Sequence, residues 1–185
     1  SSDHLVNSWH NTYGIPTLIS NCSNNYGPYQ FPEKLIPLTI MKAINEEPIP
    51  IYGDGKNVRD WLYVEDHVEA IFQLILEGKV GHTYCIGGNN PLSNLEVAQT
   101  ICSILDRVNN KSFSHKELIK FVKDRPGHDE RYAIDNSYIK KTINWKPKND
   151  FETGLEKTII WYLQNIDWCN KVLKNSGYKG ERIGL

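Results

Sequence analysis

The chain has 185 residues, 39% of them hydrophobic and 23% charged, with a formal net charge of -1. That length and make-up suit one globular core, closed without disulfide or metal staples. A near-zero charge gives no field to draw nucleic acid or an anionic membrane, and no run of about 18 apolar residues is present to span a bilayer.

Leu5, Val6, Trp9 and Tyr13 recur at helical spacing, so a helix is expected from His4 to Tyr13, beginning abruptly as though cut from a longer one. Gly14-Ile15-Pro16 ends it, and Thr17 to Cys22 reads as a short buried strand. Ser23 to Pro28 has turn chemistry, and Leu35 to Asn45 reads as a helix with Pro37 near its first turn, where a missing N–H does no harm. Ile49 to Tyr52 is a second strand closed by the Gly53-Asp54-Gly55 turn, with another extended piece from Arg59 to Tyr63.

The next helix, about Glu65 to Leu76, gathers Val68, Ile71, Phe72 and Ile75 on one face and stops at Gly78. His82 to Ile86 returns as a strand. Ser93 with Glu96 three residues on forms a capping box for a helix through Val108, with Val97, Ile101, Ile104 and Leu105 as its apolar stripe. Phe121-Val122 and Tyr132 to Ile134 look extended, and Leu155, Ile159, Tyr162, Leu163 and Ile166 mark a last amphipathic helix. Strands alternating with helices argue for an α/β fold in one compact piece, residues 1–185, without linker or repeat.

The four cysteines, Cys22, Cys85, Cys102 and Cys169, stand far apart in apolar stretches and read as buried free thiols, so no metal site is expected. No glycine-rich strand-to-helix turn is present to cradle a pyrophosphate: Gly78-x-x-Gly81 follows a helix, and Gly87-Gly88 lacks the remaining spacing. Tyr52 and Lys56 have the spacing of a helical Tyr–Lys dyad, but two glycines between them argue against a helix. No catalytic residue is therefore assigned.

Binding residues are more visible. Asn24 and Asn25 offer amide donors and acceptors to a pyrophosphate or a sugar hydroxyl, or serve only the turn. Arg59 and Arg125, each in or beside a loop, can fork onto a phosphate, although an isolated Arg is commonly a surface charge. Tyr52 offers a flat face to a base, or ordinary packing. His128 beside Asp129 reads as a hydrogen-bonding loop histidine more than an acid–base catalyst. Asp66 and His67 read as surface groups at a helix N-terminus.

Four ordered stretches carry a resemblance: Asn24 to Pro37 (NNYGPYQFPEKLIP), Pro50 to Gly55 (PIYGDG), Arg59 to His67 (RDWLYVEDH) and Asp124 to Asp129 (DRPGHD). Together they resemble the dTDP-glucose 4,6-dehydratases of the extended short-chain dehydrogenase/reductase group. The resemblance implies the C-terminal portion of an NAD-binding Rossmann-type enzyme, with the N-terminal glycine-rich half, the Tyr-x-x-x-Lys motif and the Asp–Glu pair lying upstream of Ser1. It implies loss of water from dTDP-glucose through a transient NAD-mediated oxidation, in a cytoplasmic enzyme that is a homodimer when intact.

Carried over by position, the resemblance puts Asn24 at the substrate diphosphate region, Asn25 at NAD, and Lys34 and Leu35 along the nucleotide sugar. Pro50, Ile51 and Tyr52 would hold the base, Arg59 the diphosphate and Asn94 the nucleotide, while Asp124, Arg125, Pro126, Gly127 and His128 would close over phosphates and ribose. A UDP-sugar dehydratase or epimerase of the same fold and a non-catalytic nucleotide-sugar-binding module are the alternatives. Without its upstream half, Thr17 to Cys22 would present apolar surface, and the chain alone would be inactive. Ser176 to Leu185 carries no motif.

Overall fold

The computed structural model describes residues 1–109 and 113–177. By contact these fall into two compact units: residues 1–25, 59–91 and 132–151 form the first, and 26–58, 92–131 and the residues from 152 onward form the second. The chain thus enters each unit three times.

In the first unit, helix α1 (Ser2–Tyr13) ends at Gly14, whose φ of 67° gives the left-handed cap that a glycine adopts without penalty. Strand β1 (Ile19–Cys22) pairs in parallel with β5 (Thr83–Ile86), Ile19 opposite Thr83 and Cys22 opposite Ile86. Helix α3 (Val64–Glu77) follows strand β4 (Val58–Tyr63), and helix α5 (Ser137–Ile143), which the apolar pattern does not announce, packs against β5. Leu62, Ala70, Leu74, Tyr84, Ile86, Ile139, Ile143 and Trp145 form the core, with Leu18 and Cys22 at its margin.

The apolar stripe of α3 is reversed from expectation. Val68, Phe72 and Ile75 are 61%, 62% and 67% exposed, whereas Asp66, Ala70 and Leu74 are at most 3% exposed. The small Ala70 lets the helix sit close to its core, and Asp66 goes inside because it is paired: it accepts from the Asn149 backbone N–H at 3.1 Å and from Asn149 Nδ2 at 3.0 Å. Apolar surface expected at Thr17 to Cys22 therefore lies on α3 instead, since Ile19 is buried and Leu18 packs on the core.

In the second unit, strand β3 (Ile49–Tyr52) pairs in parallel with β7 (Ile119–Val122), Ile51 opposite Phe121 and Tyr52 opposite Val122. Helix α2 (Leu35–Ile44) packs on β3 and on α4 (Asn94–Asn109). The capping box of α4 forms as its sequence dictates: Glu96 N–H donates to Ser93 Oγ at 3.2 Å, and the Ser93 N–H donates back to Glu96 Oε2 at 2.8 Å. Val97, Ile101, Ile104 and Leu105 are all buried.

The terminal helix is two helices, α6 (Phe151–Gln164) and α7 (Ile166–Ser176), broken at Asn165. Leu155, Ile159 and Tyr162 are buried as their spacing predicts, and Ile166 opens the second helix rather than continuing the first. Residues 24–26 form a short strand, β2 (Asn24–Tyr26), where a turn was expected; β6 (Pro91–Ser93) has three residues as well, and β8 (Arg131–Tyr132) two. Cys102 and Cys169 are buried free thiols, but Cys22 and Cys85 are only half-buried. Of the unplaced tail, Ser176 ends α7 and residues 178–185 lie outside the described residues.

Candidate nucleotide-sugar site

In the second unit, β3 delivers Pro50, Ile51 and Tyr52 into a turn that only glycine can build. Gly53 has φ 59° and Gly55 φ 73°, and a Cβ would stand 2.9 Å from Asp124 Oδ2 at the first and 2.8 Å from Ile51 Cγ2 at the second. The turn is tied on both sides: the Gly53 N–H donates to Val122 O at 3.0 Å, and the Leu95 N–H donates to Gly55 O at 3.1 Å. The second bond, with Asn94 N–H on Asn57 O at 3.0 Å, draws the start of α4 to the turn.

Asp124 organises the loop after β7. Its Oδ1 accepts from His128 Nδ1 at 2.7 Å and from the Arg125 N–H at 2.8 Å, and Gly127 at φ 64° lets the loop fold back between them. The hydrogen bond from His128, foremost, holds the Asp124 carboxyl below its ordinary range. Asn57 Nδ2 donates to Asp129 O at 3.1 Å and so fastens the loop's far end. Pro50, Ile51, Tyr52, Asn94 and the span from Asp124 to His128 are thereby drawn to one turn-and-loop cluster. Its exposed Arg125 is free of secondary structure and can reach a phosphate.

Lys34 and Leu35 sit on a different element. Lys34 is the N-cap residue of α2 and pairs with Glu33 at 2.6 Å, and Leu35 is the first helical residue. Tyr52 lies in a strand and Lys56 pairs with Asp54 at 2.8 Å, so these two form no helical dyad.

The first unit holds Asn24, Asn25 and Arg59. Arg59 is buried in β4, not a surface charge, and its neighbour Asp60 accepts from the Gly88 N–H at 2.8 Å and the Asn90 N–H at 2.7 Å. This explains Gly87-Gly88: the pair brings backbone against Asp60 and Trp61 and is not a phosphate loop. Asn25 Nδ2 donates to Ser23 O at 3.0 Å and to Cys22 Sγ at 3.3 Å, and Asn25 Oδ1 meets His67 Nδ1 at 2.9 Å.

His67 was expected on the surface. It is half-buried, burial lowers its pKa, and Nε2 is buried without a hydrogen-bond partner among the described residues. No local signal marks it, because its partner lies 42 residues away in the chain.

The family profile described as GDP-mannose 4,6 dehydratase matches residues 1–158. The chain is 55% identical over 179 residues to the dTDP-glucose 4,6-dehydratase of Salmonella typhimurium, covering 97% of this chain and 49% of that protein. Among solved structures, the dTDP-glucose 4,6-dehydratase of Bacillus anthracis in complex with NAD superposes with a TM-score of 0.84 at 45% identity, over 93% of this chain and 52% of that one. The UDP-glucuronic acid 4-epimerase of Bacillus cereus, in complex with UDP-glucuronic acid and NAD, follows at 0.77 and 27%, over 89% and 50%. The chain spans about half the length of the curated relatives it matches. Its fold is that of the Rossmann-type extended short-chain dehydrogenase/reductases.

Proposed function

The chain belongs to the GDP-mannose 4,6-dehydratase family, and from that premise we propose that it is the nucleotide-sugar-binding part of a dTDP-glucose 4,6-dehydratase. The observation that carries this reading is the turn-and-loop cluster of the second unit, where glycines at 53 and 55 and the Asp124–His128 bond bring Tyr52, Asn94 and Arg125 together. Tyr52 stacks on the base with Pro50 and Ile51 beside it, Asn94 hydrogen-bonds the nucleotide, and Arg125 and Arg59 take the diphosphate. Pro126, Gly127 and His128 close over phosphates and ribose, while Asn24, Lys34 and Leu35 line the diphosphate and sugar.

The whole activity, conversion of dTDP-glucose to its 4-keto-6-deoxy form with loss of water, belongs to a longer molecule of which these residues are the binding part. The first unit becomes the end of the dinucleotide-binding core and the second the sugar-nucleotide domain. NAD, when bound, supplies a hydride acceptor that is regenerated by the end of the cycle. Asn25 is this chain's contact for it, and two orphaned buried polar atoms nearby in sequence or contact, Ser23 Oγ and His67 Nε2, suit a polar ligand there. The exposed Leu5, Trp9 and Tyr13 of α1 favour a partner surface, in keeping with a homodimer. Among the described residues no helix is long and apolar enough to cross a membrane, and we place the enzyme in the cytoplasm.

Titration calorimetry of the chain with dTDP and UDP tests the binding reading. Binding of dTDP is expected, and Arg125→Ala is expected to weaken it by about 1.5–3 kcal/mol, the worth of a hydrogen bond to a charged group. No binding of either nucleotide would remove the proposal. Preference for UDP would favour the UDP-sugar reading, for which the Bacillus cereus epimerase is the precedent.

A further inference from the structure

Tyr29 holds a backbone φ of 62°, in the left-handed region that a bulky side chain adopts only where its surroundings enforce it. The residue is 66% exposed, so burial in a core does not supply the enforcement. What meets it is aromatic. Its ring centroid stands 4.5 Å from that of Trp161 in a tilted contact and 5.4 Å from that of Trp168 edge-on, and the two indoles are 5.2 Å from each other. Ring pairs at such separations attract beyond the area they bury.

The break between α6 and α7 makes this trio. Along an unbroken helix Trp161 and Trp168 would stand about 10 Å apart. At the break the Asn165 N–H donates to Tyr162 O at 3.1 Å, Asn165 Nδ2 donates to Trp161 O at 2.8 Å, and the Cys169 N–H donates to Asn165 O at 3.2 Å. The chain turns there and brings the second indole back to the first. Tyr162, fully buried at the same elbow, donates its hydroxyl to Gln30 O at 2.6 Å, and burial raises its pKa so that the phenol keeps its proton. Two successive residues, the Tyr29 ring and the Gln30 carbonyl, are thus held from one helix elbow. The loop then turns, with the Glu33 N–H on Phe31 O at 2.8 Å, and runs into Lys34 and Leu35 at the start of α2.

We propose that Trp161, Tyr162 and Trp168 are positioning residues for the sugar end of the site: by holding Tyr29 and Gln30 they fix the loop that delivers Lys34 and Leu35 to the nucleotide sugar. This rests on the proposed placing of Lys34 and Leu35 along that sugar. The three aromatics act through the loop, not by contact with the ligand, and the base end, built from β3 and the Asp124 loop, does not depend on them. The strain at Tyr29 gives the device its purpose. A tyrosine released from the indoles returns to negative φ, and the loop takes another course.

Calorimetry of the full chain with dTDP-glucose and with dTDP separates the two ends of the site, because only the first ligand carries the hexose. The wild-type chain is expected to bind dTDP-glucose about tenfold more tightly than dTDP. Trp161→Ala and Tyr162→Phe are each expected to remove most of that advantage while dTDP affinity stays within about twofold, and Trp161→Phe, which keeps a ring against Tyr29, to retain it. Tyr29→Gly removes the ring at an exposed position and is expected to lose the advantage too, so it judges the proposal even if Trp161→Ala does not fold. A folded Trp161→Ala or Tyr29→Gly chain that keeps the full preference overturns the proposal. Equal losses for both ligands overturn it as well, since the aromatic contacts would then serve only the stability of the unit. Should the wild-type chain bind dTDP but show no preference for dTDP-glucose, the placing of Lys34 and Leu35 along the sugar fails, and the role of the elbow with it.

Discussion

A Cβ on Gly88 would lie 1.8 Å from the Trp61 carbonyl oxygen and 2.6 Å from its carbon, both of them backbone atoms that cannot rotate away. Gly88→Ala is therefore expected to destabilise the chain by about 3 kcal/mol, the upper end of overpacking costs. A urea midpoint equal to the wild type's would refute it. Asp106 makes a pH prediction of the same local kind. Burial pushes its carboxyl up, but the hydrogen bonds from the His115 backbone N–H, the His115 ring and the Ser114 hydroxyl outweigh that and hold it below 3.8. The unfolded chain then binds the proton more readily, so this contribution is complete above 3.8 and is lost as pH falls through the lower, folded value. Asp106→Asn is expected to flatten the acid limb of the stability curve below about pH 4, measured by denaturation across a pH series. In the sequence Gly87-Gly88 could be recognised as a turn, but not its reason, because Trp61 and Asp60 approach it from far along the chain.

Helices α3 and α4 divide on how well a one-dimensional pattern foretells the buried face. On α4 the capping box and the stripe from Val97 to Leu105 agree with the structure, and Ser93→Ala is expected to cost about 1 kcal/mol. On α3 the most hydrophobic stripe faces outward. Leu74→Ala is expected to cost about 2–5 kcal/mol, as a buried truncation does, and Phe72→Ser within about 0.5 kcal/mol, as a surface change does. Thermal or urea unfolding of the two variants decides between the faces, and a Phe72→Ser loss as large as that of Leu74→Ala would put the stripe inside after all. The periodicity fixes only that α3 has two dissimilar faces. Which one the core takes depends on Ala70 and on the pairing of Asp66 with Asn149, a partner 83 residues away.

Across the whole chain, each unit is assembled from three separated stretches, so no linker or composition shift marks the division. The nucleotide reading makes a prediction on this scale: dTDP is expected to slow backbone amide exchange at residues 50–57 and 122–129 of the second unit more than in its α6 and α7 helices. Uniform slowing along the unit would argue against a site at the turn-and-loop cluster. Here the sequence was informative only for the local parts, the glycine turn at 53–55 and the Asp and His four residues apart; the bonds that join them, Gly53 N–H to Val122 O and Asn57 to Asp129, a partner 72 residues away, are tertiary.

The sequence by itself determined the α/β class, most of the helices and strands and the capping box of α4, since spacing and caps act over a few residues; the residues of the proposed binding cluster it offered only through the resemblance that its four motifs carry. Only the tertiary structure decided the inward face of α3, the burial of Arg59 and Asp66, the strand at Asn24–Tyr26 and the bond from His67 to Asn25. Each depends on what a distant segment brings alongside. Burial of a polar group is favourable only once its partner has arrived, and no local pattern announces the arrival.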